Sequence, residues 1–314
     1  MVKVAQDAES WLIADVGATN SRCALLESRA GRPRNIRISR NDDFSSLADL
    51  LRDYLESGTT NPQAMALAVA APVHANEITM TNRNWSFSAQ SLAAELGIGH
   101  ATVVNDFHAI AFALPNLDDG ARTEIGNASE YLGGNMAVLG PGSGLGMAAW
   151  IGDSAGGAAM TGEGGHITVS GRNASEDEII NWFRKKYGHC SAERVLSGPG
   201  LLDLHEAMHG TRLQRSEQIS GNADDQACTK TLNQFFSFLG SAAADLALIT
   251  GSFGGLYIAG GIVPAHIEKI HKSPFRERFD DKNRYRDYMR RIPTYVITDP
   301  VPGLTGLAAM IDRG

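Results

Sequence analysis

The chain of 314 residues has only three cysteines, Cys23, Cys190 and Cys228, far apart and without C-x-x-C spacing. That scarcity excludes a disulfide framework and a cysteine-based zinc site and points to reduced thiols. No uninterrupted apolar run approaches the roughly 18 residues of a membrane span. The N-terminus M-V-K-V-A-Q-D-A-E-S also lacks an apolar stretch of signal length. A cytoplasmic protein with no membrane partner is the expectation. Basic blocks are missing too: the densest stretch, Arg276 to Arg291, is interleaved with Glu277, Asp280, Asp281 and Asp287, and 28 basic residues stand against 35 acidic ones. No nucleic-acid partner is expected from that balance. The motif G-x-x-x-x-G-K-[ST] does not occur. The run Gly140, Gly142, Gly144, Gly146 does not fit G-x-G-x-x-G either, because Leu145 and Met147 stand where the last glycine is needed. The P-loop and the dinucleotide-binding turn both lose support.

What the chain does have is one pattern written twice. Trp11 to Leu26 reads W-L-I-A-D-V-G-A-T-N-S-R-C-A-L-L, and Met136 to Ile151 reads M-A-V-L-G-P-G-S-G-L-G-M-A-A-W-I. Each is an apolar run, a turn rich in glycine and hydroxyl groups, and a second short apolar run, which predicts a β-hairpin rather than a strand followed by a long helix. Glycine-rich tips bring several backbone N–H groups close to an anion, and Thr19, Asn20 and Ser143 add side-chain donors. Two ordinary hairpin turns would look the same one at a time. The pair, with Asp15 at the end of the first strand, predicts two similar domains facing one nucleotide. A net charge of −7 does not oppose this, since charges beyond a Debye length of ~8 Å are largely screened.

Along the chain the signals alternate as in an α/β protein. Strands are predicted at about 11–16, 22–26, 35–39, 65–71, 256–259 and 295–298, with hairpins at 136–151 and about 157–170. Helices are predicted at 45–56, 88–96 with Ser88 as N-cap, 107–114, about 175–187, 191–208, 226–250 and 303–311. The domain division expected is a small α/β domain over 1–106, joined by the C-terminal helix at about 300–314, and a large α/β domain over 107–299.

Several residues in this frame could carry chemistry. Asn105 and Asp106 stand where a strand ends and a helix begins, the place at which open α/β sheets present ligand-binding groups. Asp106 there is either a helix cap or a general base for an attacking hydroxyl. Thr161 to His166, T-G-E-G-G-H, reads as a loop, because Gly164 and Gly165 each disfavour helix by roughly 1 kcal/mol. Its Glu163 and His166 either face water or hydrogen-bond a ligand rich in hydroxyls. Glu193 follows Ser191 in S-A-E-R-V-L-S-G-P-G and is either a first-turn dipole residue or a further ligand. Gly260 and Gly261 close the strand in I-A-G-G-I-V-P, where backbone can approach a flat or phosphorylated ligand.

In order, D-V-G-A-T-N-S-R, V-N-D-F, G-P-G-S-G-L-G, G-E-G-G-H, S-A-E-R-V-L-S-G-P-G and I-A-G-G-I-V-P resemble the bacterial ATP-dependent glucokinases of the hexokinase–actin–Hsp70 superfold. The likeness runs from Asp15 to about Gly306. It implies two actin-like, ribonuclease H-like α/β domains with a sugar and ATP cleft between them. It also implies ATP and Mg²⁺ as cofactors, glucose as substrate and a homodimer. By the same resemblance Asp15, Gly17, Ala18, Thr19 and Asn20, with Gly142, Ser143 and Gly144, form the two phosphate-binding tips, and Gly260 and Gly261 lie beside the adenosine. Asp106 is then the catalytic base, Asn105, Glu163, His166 and Glu193 hold the sugar hydroxyls, and Asp15 holds the metal through water. Ala18 stands where the family usually has a second glycine and Ser143 where it usually has threonine. The cysteine-rich zinc motif of the related ROK kinases is replaced by I-T-V-S-G-R, which places the chain outside that group.

The activity these features imply is transfer of the γ-phosphoryl of Mg-ATP to the 6-hydroxyl of glucose. Kinases for other hexoses, and actin- or Hsp70-like ATPases, share the hairpins. An ATPase of that kind would hydrolyse ATP without sugar, and the cluster Asn105, Asp106, Glu163, His166 and Glu193 argues against it.

Overall fold

The computed structural model describes residues 5, 8–58, 60–73, 76–80, 83–128, 132–153, 155–222 and 224–313. Two compact units make up the chain, one of Met1–Leu117 with Asp299–Gly314 and one of Asp118–Thr298.

The first unit runs β1 (Trp11–Val16), β2 (Asn20–Leu26), β3 (Arg34–Arg40), α1 (Leu47–Glu56), β4 (Ala64–Val69), β5 (Glu77–Thr79), β6 (Ser86–Ser88), α2 (Ala89–Leu96), β7 (His100–Asn105) and α3 (Asp106–Ala113), and it takes back the C-terminal helix (Pro302–Arg313). Its five-stranded sheet has the order β3-β2-β1-β4-β7. The hairpin neighbours pair antiparallel, while β1, β4 and β7 run parallel. Alternation along β1 feeds two apolar layers, as the period of two in a strand requires. Leu12, Ala14 and Val16 face Leu47, Leu50 and Leu51 of α1 and Leu92 of α2. Trp11 and Ile13 face Ala109 of α3 and Leu304, Leu307 and Ile311 of the C-terminal helix. Burying each such leucine or isoleucine contributes about 2 kcal/mol. Ser46 and Ser88 cap α1 and α2 by accepting the Asp49 and Ser91 N–H groups.

Helix α3, which the sequence reading put in the large domain, belongs to the first unit. The reason is a close approach: a Cβ on Gly306 would stand 1.8 Å from the Ala109 carbonyl oxygen, so the two helices meet backbone to backbone.

The second unit runs β8 (Arg122–Glu124), β9 (Met136–Pro141), β10 (Leu145–Gly152), β11 (Gly157–Gly162), α4 (Ala174–Tyr187), α5 (Ala192–Val195), α6 (Gly198–His209), α7 (Glu217–Ser220), α8 (Gln226–Thr250), β12 (Gly255–Ile258), α9 (Ile267–His271), α10 (Phe275–Asp280), α11 (Arg286–Arg290) and β13 (Thr294–Ile297). Its sheet order, β11-β10-β9-β12-β13-β8, repeats that of the first unit with one added edge strand. Here too two antiparallel pairs come first, and the parallel strands β12 and β13 follow beside β9. Helix α8 is long and apolar enough to cross a bilayer by length and composition alone. Its Phe235, Phe236, Phe238 and Leu239 are buried among side chains of the same unit, which makes it a core helix.

Two local expectations change. The helix expected over 191–208 is broken into α5 and α6, because Leu196 leaves helical conformation and Ser197 starts a new N-cap with Pro199 in the first turn. Residues 157–170 do not form their own hairpin. β11 pairs with β10, and the chain then enters a 3-10 turn at Gly164–His166.

Candidate active site

The candidate residues of the first unit gather at the carboxyl ends of β1 and β7. Asp15 is the penultimate residue of β1, and its Oδ2 lies 3.7 Å from Arg22 Nη1. Gly303, the second residue of the C-terminal helix, packs so tightly on this carboxyl that a Cβ there would be 2.7 Å from Asp15 Cγ. A helix N-terminus against a carboxylate is electrostatically favourable. Burial nevertheless raises the Asp15 carboxyl above its usual range, against the pull of Arg22.

At the end of β7, Asn105 is the N-cap of α3: its Oδ1 accepts the Phe107 N–H at 3.0 Å. Asp106 occupies the first helical position, and its Oδ1 accepts the same N–H at 3.0 Å. The Phe107 N–H is thus shared between the two side chains, and capping does not rest on the Asp106 carboxyl alone. Burial, reinforced by the charge of Asp15, pushes Asp106 up to about 7, with the Phe107 N–H pulling the other way. A carboxyl held there is suited to take up a proton near neutral pH.

Between β1 and β2, the Gly17 N–H donates to the Asn20 carbonyl at 3.1 Å and closes the turn. Among the described residues the non-glycine positions with left-handed φ are Asn35 and Asn283. Ala18 therefore sits in the turn without backbone strain. Sequence reading missed Asn41, wholly buried after β3, which hydrogen-bonds this turn at several points. It also missed Gly303. Neither lies in a recognisable pattern, since each is set by a neighbour distant in sequence.

In the second unit the candidates gather around the tip of the β9–β10 hairpin. Gly142 N–H donates to the Gly144 carbonyl at 2.8 Å, and the Gly142 carbonyl accepts Gly198 N–H at 2.8 Å, which ties the tip to the start of α6. Glu193 of α5 sends its Oε2 to the Leu145 N–H at 2.9 Å. Gly164 and Gly165 lie against β10: a Cβ on Gly165 would be 2.3 Å from the Leu145 carbonyl oxygen, and one on Gly164 would be 2.7 Å from Met147 Sδ. This contact holds the turn that carries Glu163 and His166, whose side chains are exposed. Gly260, at φ +82°, packs on Pro141, whose carbonyl oxygen would be 2.4 Å from an added Cβ, and Gly261 beside it is exposed. Ser143, Glu163, His166, Glu193 and Gly260 thus belong to one neighbourhood of the second unit, and Asp15, Thr19, Asn105 and Asp106 to the strand ends of the first.

The family model for glucokinase matches residues 12–314. A glucokinase of Aromatoleum aromaticum is 40% identical over 314 residues, covering 96% of this chain and 94% of that one. The chain belongs to the glucokinase family. A solved glucokinase from an Antarctic psychrotroph matches with a TM-score of 0.85 at 34% identity, over 98% of this chain and 99% of that one. The glucokinase of Balamuthia mandrillaris, solved in complex with glucose, shares the fold at a TM-score of 0.72 and 18% identity, over 98% of this chain and 94% of that one. As a glucokinase the chain is an ATP-dependent hexose kinase with the actin-like fold.

Proposed function

We propose that the chain transfers the γ-phosphoryl group of Mg-ATP to the 6-hydroxyl of D-glucose, giving glucose 6-phosphate and ADP, with Asp106 as the catalytic base. The observation that carries this is the buried Asp106 carboxyl at the start of α3, which shares the capping N–H with Asn105 and is pushed up to about 7. The glucose O6 attacks the γ-phosphorus, the bond from that phosphorus to the ADP oxygen breaks, and the O6 proton passes to Asp106. Phosphoryl transfer asks the protein mainly for positioning and charge stabilisation. The tips Gly17–Asn20 and Gly142–Gly144 supply these to the phosphates, the first through the Ala18 and Thr19 amides, while the Gly17 and Gly142 N–H groups close the turns. Asn105, Glu163, His166 and Glu193 orient the sugar hydroxyls, and Gly260 and Gly261 border the adenosine.

Mg²⁺ enters with ATP and would be held through water by Asp15, where it neutralises phosphate charge. Two buried carboxyls suit a cation: Asp15 and Asp106 are both raised by burial, and the Arg22 guanidinium, 3.7 Å from Asp15, offsets that burial only in part. The enzyme is expected to act in the cytoplasm as a homodimer. Coupled ADP production measured over a panel of hexoses, with a control lacking sugar, tests the whole reading. ATP turnover that ignores sugar, or that favours another hexose over glucose, overturns it.

A further inference from the structure

Asn41 is a wholly buried polar residue directly after β3, and three of its groups are spent on the β1–β2 turn. Its backbone N–H donates to the Thr19 carbonyl at 2.9 Å. Its Nδ2 donates to the Gly17 carbonyl at 2.8 Å. Its Oδ1 accepts the hydroxyl of Ser21, also wholly buried, at 2.7 Å. The turn does not need these bonds to close, because the Gly17 N–H already meets the Asn20 carbonyl. What they change is the electrostatic character of the tip. Carbonyl oxygens repel phosphate, and Asn41 occupies those of Gly17 and Thr19. Among the described residues no acceptor takes the Ala18 and Thr19 N–H groups, so donors remain where an anion is to bind.

Asn41 is itself braced. Its carbonyl accepts Arg83 Nη1 at 3.1 Å, and a second nitrogen of the guanidinium pairs with Asp42. The guanidinium carbon of Arg83 lies 4.7 Å from the centre of the Trp85 ring. Arg83 comes from the segment between β5 and β6, so the brace ties that segment to the nucleotide tip.

We propose that Asn41 is a positioning residue for phosphoryl transfer, holding the Gly17–Asn20 tip in its phosphate-binding form, with Arg83 as its brace. This rests on the reading of that tip as a phosphate clasp. The test is steady-state kinetics of the full chain with ATP and glucose varied separately, on Asn41→Asp, Asn41→Ala, Arg83→Met and Ala18→Glu. Asn41→Asp keeps the acceptor for Ser21 and loses the donor to Gly17. Losing one buried hydrogen bond corresponds to about a tenfold rise in the ATP KM, expected with the glucose KM within about twofold of the parent. Arg83→Met is expected to shift the ATP KM in the same direction by less, and it carries the test if the Asn41 variants do not fold. Ala18→Glu sets an acid on the tip itself and is expected to abolish saturation by ATP. If it does so while the Asn41 and Arg83 variants keep parental ATP parameters, the clasp stands and the role of Asn41 is overturned. A parental Ala18→Glu enzyme overturns both. Equal changes in the ATP and glucose parameters would reduce Asn41 to a structural residue and overturn the proposal as well.

Discussion

Glu193 Oε2 accepts the Leu145 backbone N–H at 2.9 Å, so a proposed sugar ligand also holds the strand that leaves the second hairpin tip. One side chain therefore touches two tasks. Glu193→Ala is expected to raise the glucose KM and the ATP KM together, lowering kcat/KM by about 10²-fold or more. Glu193→Gln can still accept the Leu145 N–H and is expected to spare the ATP KM while weakening glucose. Kinetics with each substrate varied in turn distinguish the two. A Glu193→Ala enzyme with only its glucose KM altered would show that the Leu145 bond has no part in nucleotide binding.

Gly144 tests the same contact from the other side. A Cβ there would stand 2.5 Å from Glu193 Oε2, the far end of a flexible side chain. Gly144→Ala is expected to fold with a stability loss under about 1 kcal/mol, because the carboxylate can swing away. The displaced carboxylate releases Leu145, and kcat/KM is expected to drop far more than stability does. Urea denaturation alongside the coupled assay makes the comparison; parental activity would count against it.

Asp106 links activity to stability with opposite signs. Its carboxyl is pushed up to about 7 in the folded chain, against about 3.9 for an exposed aspartate. The folded state therefore holds a proton that the unfolded state gives up, and stability is lost as pH rises from about 4 to about 7. Asp106→Asn removes that loss. It is expected to be more stable than the parent at pH 8, by an amount on the order of a few kcal/mol, and equal to it near pH 4. Its kcat is expected to fall by about 10²- to 10⁴-fold. Denaturation of both proteins across pH checks the stability difference; a gap that does not change with pH would remove the raised carboxyl as its cause.

The same carboxyl sets the pH profile of the parent enzyme. A general base must be ionised, so kcat/KM is expected to climb with pH through about 7 and then level. A rate already flat from pH 5 upward would show that free Asp106 is ionised well below that range.

Gly306 is the most crowded of these glycines, with an added Cβ 1.8 Å from the Ala109 carbonyl oxygen. Backbone cannot yield as a side-chain tip does. Gly306→Ala is expected to cost about 1–3 kcal/mol or more and to lower activity by tilting α3, which begins at Asp106. A variant with parental denaturation midpoint would show that the helices separate freely.

Much of this architecture was readable from local signals. The alternation of Trp11 to Val16, the glycine tips, and the step from strand to helix at Asn105 and Asp106 all depend on neighbours in sequence. Two features depend on partners that letters do not name. Asn41 has no motif, because its role comes from β3 bringing it under a turn some twenty residues earlier. Short β8 is a strand because β13 lies beside it. The break between α5 and α6 was visible in Ser197 and Pro199, but the helical spacing around it outweighed those signals. Glu193 shows the limit for site residues: its first-turn position is local, whereas its bond to Leu145 is not.

The C-terminal helix has a further consequence for a shortened chain. Leu304, Leu307 and Ile311 pack with Trp11, Ile13 and Ala66, so the cover that α3 begins on one face of the first sheet is completed by a helix that follows the whole second unit in sequence. The second unit, drawn from one uninterrupted stretch, completes its own core without that helix. A chain cut between the second unit and that helix would leave those central strands partly uncovered to solvent and chaperones, although every strand of the sheet is still present.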